Sequence, residues 1–177
     1  MDAAAGRVLS ATGCAITSVR KLPEGVEFVR KDAGLPMNLG ILSALQYRFI
    51  PVPEGLNRYG LAVKGLAPGR YTVRAEGRSL GTYEDRRLAE GVNISSATAN
   101  GWEPGGPWDA QSDAVKEVVD ARDKLWYAGQ FRSLYNSNHP EAATLATEYS
   151  RLDDQLTALA RAQAKPYAYR FEIRVIK

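Results

Sequence analysis

The stretch from Asn57 to Ile94, NRYGLAVKGLAPGRYTVRAEGRSLGTYEDRRLAEGVNI, narrows what this chain can fold into more than any other. Two runs in it, Tyr59, Leu61, Val63 and Tyr71, Val73, Ala75, set apolar side chains two residues apart. That spacing places them on one face of a strand. Between the runs, Gly65-Leu66-Ala67-Pro68-Gly69 offers a turn in which Pro fixes φ and Gly permits a positive φ. A second turn at Glu76-Gly77-Arg78-Ser79 leads into Leu80-Gly81-Thr82-Tyr83, a third short strand. The pattern predicts a β-meander, and no residue in it carries obvious chemistry.

The flanks extend the β-rich region. Arg7 to Thr12, Ala15 to Lys21 and Val26 to Arg30 are predicted strands, separated by Gly13 and by Pro23-Glu24-Gly25. Asp2 to Gly6 has the composition of a turn leaving an earlier strand, so the expectation is that Met1 marks a cut in a longer protein. Residues 32–58 are loop-rich, with one further strand over Gln46 to Val52 that Pro51 confines to an edge or ends early. Asp85 to Glu90 reads as one helical turn closed by Gly91.

Composition shifts at Ser95 to Pro107, SSATANGWEPGGP, a polar connector rich in Gly and Pro. Two helices follow. Asp109 or Ser112 caps the first, since either oxygen can accept a bond from the free amides of the opening turn. Its inward face comprises Val115, Val118, Leu125, Ala128 and Phe131, with Val119 and Trp126 alongside, and it ends near Asn136. Pro140 opens the second helix, where a missing amide does no harm. Leu145, Tyr149, Leu152, Leu156 and Leu159 form one apolar stripe along it. After Pro166, Tyr167, Tyr169, Phe171, Ile173 and Val175 alternate with polar neighbours as a closing strand.

The reading is therefore an α+β fold of one domain, 1–177: an antiparallel sheet or sandwich over 6–94, a connector over 95–108, a two-helix hairpin over 109–165 and a returning strand over 166–177. The helices are expected to cover part of the sheet and bury the Leu145 to Leu159 stripe.

Charge excludes more than it suggests. The 23 basic and 20 acidic residues leave +3 spread along the chain, without the clustered basic face that nucleic-acid binding needs. No apolar run approaches the ~20 residues of a membrane span. The start, MDAAAGRV, lacks the basic leader and apolar core of a signal peptide. Cys14 stands alone, so neither an internal disulfide nor a cysteine metal site is predicted, and the compartment stays undecided.

Candidate chemistry is sparse. His139 lies in Asn136-Ser137-Asn138-His139-Pro140 at a helix entrance, where a histidine can act as a general base. No nucleophile or orienting acid can be named for it, so these residues read as turn formers and no catalytic residue is predicted. Trp102 and Trp108 in the connector, and Tyr127 on the first helix, are the candidate binding residues, with rings able to stack on a carbohydrate or anchor a protein partner. For the two tryptophans, the competing role is packing against the sheet they cross. Asp153 and Asp154 are helix neighbours that point in different directions, the arrangement of a solvated face. Gly101 to Gly106 lacks the Gly-x-Gly-x-x-Gly order, and no Gly-Lys-Ser/Thr phosphate loop occurs, so no cofactor and no metal are predicted.

Several motifs together resemble a known family. Leu56-Asn57-Arg58-Tyr59-x-Leu61-x-Val63-x-Gly65-Leu66, then Pro68-Gly69-x-Tyr71-x-Val73, then Leu88-Ala89-x-Gly91-Val92-Asn93-Ile94, are similar to the region following the catalytic domain in bacterial SGNH (GDSL-type) hydrolases, particularly secreted esterases. The likeness continues through Lys124 to Arg132, KLWYAGQFR, and on to the final strand. It implies a non-catalytic accessory domain, an SGNH catalytic domain upstream as its partner, and a secreted or periplasmic setting. That family carries its nucleophile in a Gly-Asp-Ser block and its histidine in an Asp-x-x-His block. This sequence has no Gly-Asp-Ser, and Asn136 stands where the acid would precede His139. The alternative is a free-standing carbohydrate- or protein-binding module.

Overall fold

The computed structural model describes residues 1–36, 57–95 and 105–176, apart from the side chains of 131–136. The chain clusters into two compact units: Met1–Ser112 with Pro166–Lys177, and Asp113–Lys165. The first is an antiparallel sheet with a smaller two-stranded sheet and the second is a helical hairpin, an α+β architecture as predicted.

Five strands build the main sheet: β1 (Cys14–Leu22), β2 (Gly25–Asp32), β4 (Arg70–Ala75), β5 (Arg78–Glu84) and β7 (Ala168–Val175), in the order β1-β2-β7-β4-β5. The closing strand thus enters the middle of the sheet, bonded on both edges. Register explains why the alternating residues of these strands become a core. Val26, Ile173 and Val73 lie directly across from one another, as do Phe28, Phe171 and Ala75. All six are buried. Phe28 and Phe171 stack with centroids 5.2 Å apart. A shift of one residue would turn both rows to water, which is how a buried face fixes register.

The β4–β5 hairpin turns on Glu76 and Gly77, both with positive φ, as a two-residue turn matching strand twist requires. Glu76 has no glycine freedom. Instead it is held by Arg170, whose carbonyl accepts the Glu76 amide at 2.9 Å and whose amide donates to the Glu76 carboxylate at 2.6 Å.

The rest of the meander is built differently from the sequence reading. Tyr59 to Val63 does not pair with β4. Its ordered part, β3 (Gly60–Leu61), pairs with β6 (Val92–Asn93) in the second sheet. The neighbouring backbone groups are used elsewhere. The Val63 amide bonds Leu88 O at 2.8 Å, in the short helix α1 (Asp85–Glu90), while Lys64 exchanges bonds with Met1 and Ala3. Asn93 secures this region by accepting the amides of Tyr59 and Ser95 on Oδ1 and donating from Nδ2 to Asn57 O. Gly65 is needed for contact as well as turning: a Cβ there would lie 2.8 Å from the Asp2 carboxylate.

One further expectation at the N-terminus differs. Arg7 to Thr12 is not a strand. Asp2 and Arg7 close a turn on each other, and Val8 and Leu9 lie exposed beyond it. Met1 and Ala3 are buried, and the Met1 ammonium donates to Ala62 O at 2.8 Å. Burial lowers its pKa. The predicted strand Gln46 to Val52 falls outside the described residues.

A buried cation links the two sheets. Arg30 donates to both Asp32 oxygens at 2.7–3.0 Å and to Gly60 O at 2.8 Å, and its guanidinium lies 5.3 Å from the centre of the Tyr59 ring. Tyr59 in turn donates to Gly34 O. Its hydroxyl pKa is pushed well up, first by burial and then by the Asp32 charge.

Helix α2 (Pro107–Asn136) begins with Pro at its first position, ahead of both predicted caps, Asp109 and Ser112. Asp109 therefore lies within the first turn, where a negative charge suits the helix dipole. Ser112 caps nothing: its hydroxyl donates to Pro36 O at 3.1 Å. Helix α3 (Ala142–Gln163) starts after Pro140, which sits in the connecting turn. The expected burial of its stripe is not found. No α3 residue is buried, Leu145, Tyr149 and Leu156 are half-buried, and Leu152 and Leu159 are exposed. The predicted inner face of α2 is likewise only half-buried at Val115, Val118 and Leu125, while Val119 and Trp126 are exposed. Two paired helices can shield only the flank each turns to the other. None of the described helices is long and apolar enough to cross a membrane.

Candidate functional site

His139, the obvious candidate base, is exposed in the turn between the helices. Its Nδ1 accepts the Glu141 amide at 3.2 Å, a local bond that fixes the entry to α3. A catalytic histidine needs a nucleophile on one nitrogen and an orienting group on the other. Here one nitrogen is taken up by the turn.

Of the three proposed binding residues, Trp102 lies outside the described residues. Trp108 is 1% exposed and has no ring face open to a ligand. It stacks on Phe171 at 6.0 Å, meets Tyr169 edge-on at 5.9 Å and approaches Tyr59 at 5.9 Å, while its Nε1–H donates to Ser95 O at 2.6 Å. Gly106 makes room for it, since a Cβ there would fall 2.2 Å from the indole. Packing, the competing role, is what Trp108 does. Burial also raises the hydroxyl pKa of its neighbour Tyr169, which bonds Gln111 at 3.0 Å.

Tyr127 is different. It is 60% exposed and sits beside Trp126, itself 56% exposed, with the rings edge-to-face at 5.2 Å and 79°. The two rings, with Arg122, Asp123 and Asp153, line an open groove of about 340 Å³. The groove lies wholly within the helical unit. Helical spacing builds it: Arg122 and Trp126 are four residues apart, as are Asp123 and Tyr127, so two adjacent ridges each pair a charge with a ring. Across from them Asp153 of α3 accepts from Arg122 Nε at 2.7 Å and Nη2 at 3.2 Å. That fork-on-fork pair raises the guanidinium pKa further above its ordinary value, chiefly through the hydrogen bond.

Sequence reasoning assigned Asp153 to a solvated face and Trp126 to the inner side of its helix; the structure places both in this groove. The i, i+4 spacing of charge and ring in RDKLWY carried the signal for the α2 side. Nothing in the sequence paired Arg122 with Asp153. Asp123 makes no hydrogen bond or ion pair among the described residues. No group of three His, Cys, Asp or Glu side chains is gathered for a metal among the described residues.

The fold has a solved counterpart. The class it defines is an α+β fold, a five-stranded antiparallel sheet with a helical hairpin. The particular neighbour is BT4096, described as a gut microbial diltiazem-metabolizing enzyme, with a TM-score of 0.74 at 19% identity. The match covers 99% of this chain and 49% of that one, so this chain spans about half that enzyme's length. No protein-family model matches the sequence, and no curated protein is significantly similar to it.

Proposed function

We propose that this chain is a non-catalytic accessory domain of an SGNH (GDSL-type) hydrolase of carbohydrate-active or lipid esterase type. One observation carries the reading: almost the whole chain takes the fold of about half of a larger enzyme. Two residue-level facts support it. The sequence lacks a Gly-Asp-Ser block, and the only histidine is engaged by a neighbouring amide in a turn. The motif order from Leu56 to Ile94 is similar to that of such accessory regions. The role is supportive: it braces an active-site domain or shapes access to it.

The test is hydrolysis of p-nitrophenyl acetate by the purified chain. The expected rate equals the buffer rate, and the gene is expected to carry a Gly-Asp-Ser block in the same reading frame or beside it. Hydrolysis that disappears in His139→Ala would overturn the assignment.

A further inference from the structure

Exposed aromatic rings are common one at a time on protein surfaces. Two in contact, on a groove furnished with fixed charged groups, call for a ligand chemistry. Trp126 and Tyr127 leave more than half of their surface in water. Both signs of charge are present in the same groove. Arg122 and Asp153 hold one another by two bonds, so their planar groups are set in place before any ligand arrives, and little ordering is left to do on binding. Arg122 and Asp153 offset one another, so the uncompensated charge in the groove is Asp123, which disfavours an anion. The groove offers acceptors at Asp123 and Asp153, donors at Arg122 and a hydroxyl at Tyr127. A neutral molecule with an apolar C–H face and a rim of hydroxyls matches these features. The groove, about 340 Å³, is open to water, so a ligand would rest on it part-exposed.

We propose that the groove lined by Arg122, Asp123, Trp126, Tyr127 and Asp153 binds a neutral saccharide, stacking a sugar ring on Trp126 and bonding its hydroxyls through Asp123 and the Arg122–Asp153 pair. The site stands whether or not the chain serves a hydrolase, because every residue in it belongs to the helical unit.

The experiment is a ¹H–¹⁵N titration of the intact chain that follows the indole N–H signals of its three tryptophans. Probes are neutral cello-, xylo-, chito- and malto-oligosaccharides, with tetramethylammonium chloride and inorganic phosphate as charged controls. At least one oligosaccharide is expected to move the Trp126 signal to saturation with a Kd of about 0.1–10 mM, leaving Trp108 in place. Asp123→Asn, read on the Trp126 indole, and Trp126→Ala, read on the Tyr127 backbone amide, should each weaken that binding about tenfold or more while helical circular dichroism stays that of the parent chain. The proposal is overturned if no neutral sugar saturates the Trp126 signal, if only a charged control does, or if Asp123→Asn leaves sugar binding unchanged. Esterase assays read the hydrolase assignment separately, so the two can fail independently.

Discussion

Removing the Trp108 side chain should damage the sheet unit more than any other single truncation of an aromatic residue. Trp108 is 1% exposed, touches Phe171, Tyr169 and Tyr59, and gives its only donor to the buried Ser95 carbonyl. Trp108→Ala therefore removes the large ring and leaves a carbonyl without its partner, at a cost of about 3–5 kcal/mol. Small domains are stable by only about 5–15 kcal/mol, so this is a large share of the total. Trp108→Phe keeps most of the stacking and loses the donor, which should cost about 1–3 kcal/mol. Trp126→Ala supplies the control: its ring is 56% exposed, and the expected change is within about 0.5 kcal/mol. Urea unfolding followed by circular dichroism, with amide exchange in β2, β4 and β7 to report the sheet unit, separates the three. Melting temperature should fall by roughly 10–20 °C in Trp108→Ala. A loss under about 1 kcal/mol in that variant, or an equal loss in Trp126→Ala, would refute the assignment of one tryptophan to the core and the other to the surface.

Three other outcomes follow from named contacts. Arg30→Ala should destabilise the sheet unit by about 3–5 kcal/mol, because Asp32 is left charged and nearly buried; the double variant Arg30→Met, Asp32→Leu should recover part of the loss in the same urea experiment. Gly25→Ala should cost about 3 kcal/mol or force β2 away from β7, since its Cβ would lie 1.8 Å from the Ile173 carbonyl oxygen; loss of amide protection at Val26 and Ile173 would report it. Alkaline stability should depend on Tyr59. Its folded pKa is raised above the ordinary 10.0, so its contribution is complete below about pH 10 and is lost as pH rises beyond it, when the unfolded chain releases a proton that the folded chain keeps. Unfolding free energy measured from pH 9 to 11.5 should fall less steeply in Tyr59→Phe, and an unchanged slope would contradict the burial of that hydroxyl.

Strands with one buried face were legible in the sequence. β4 and β7 carry strict alternation, and β7 reads clearly because both its edges are bonded and its inner residues meet partners on two sides. The failures share a cause: periodicity reports which residues are buried and says nothing of which strand bonds which. Leu61 and Val63 are buried as their spacing predicts, yet their backbone partners are Val92 and Leu88 rather than β4. The α3 stripe is regular, but a regular stripe does not state how much of it a neighbour covers. In the groove, the α2 ridges could be read from i, i+4 spacing, whereas the Arg122–Asp153 pair spans 31 residues and depends on how the helices align. Trp108 could be read as a packing residue, and its place under Phe171 required the register of β7.

Under the proposed function, this chain contributes architecture and leaves bond breaking to other residues. Intact-mass analysis after incubation with a fluorophosphonate, which labels activated serine nucleophiles, tests it most directly. The account predicts an unlabelled chain at times when a known SGNH hydrolase is fully modified. A stoichiometric adduct on one serine that vanishes in His139→Ala would contradict it.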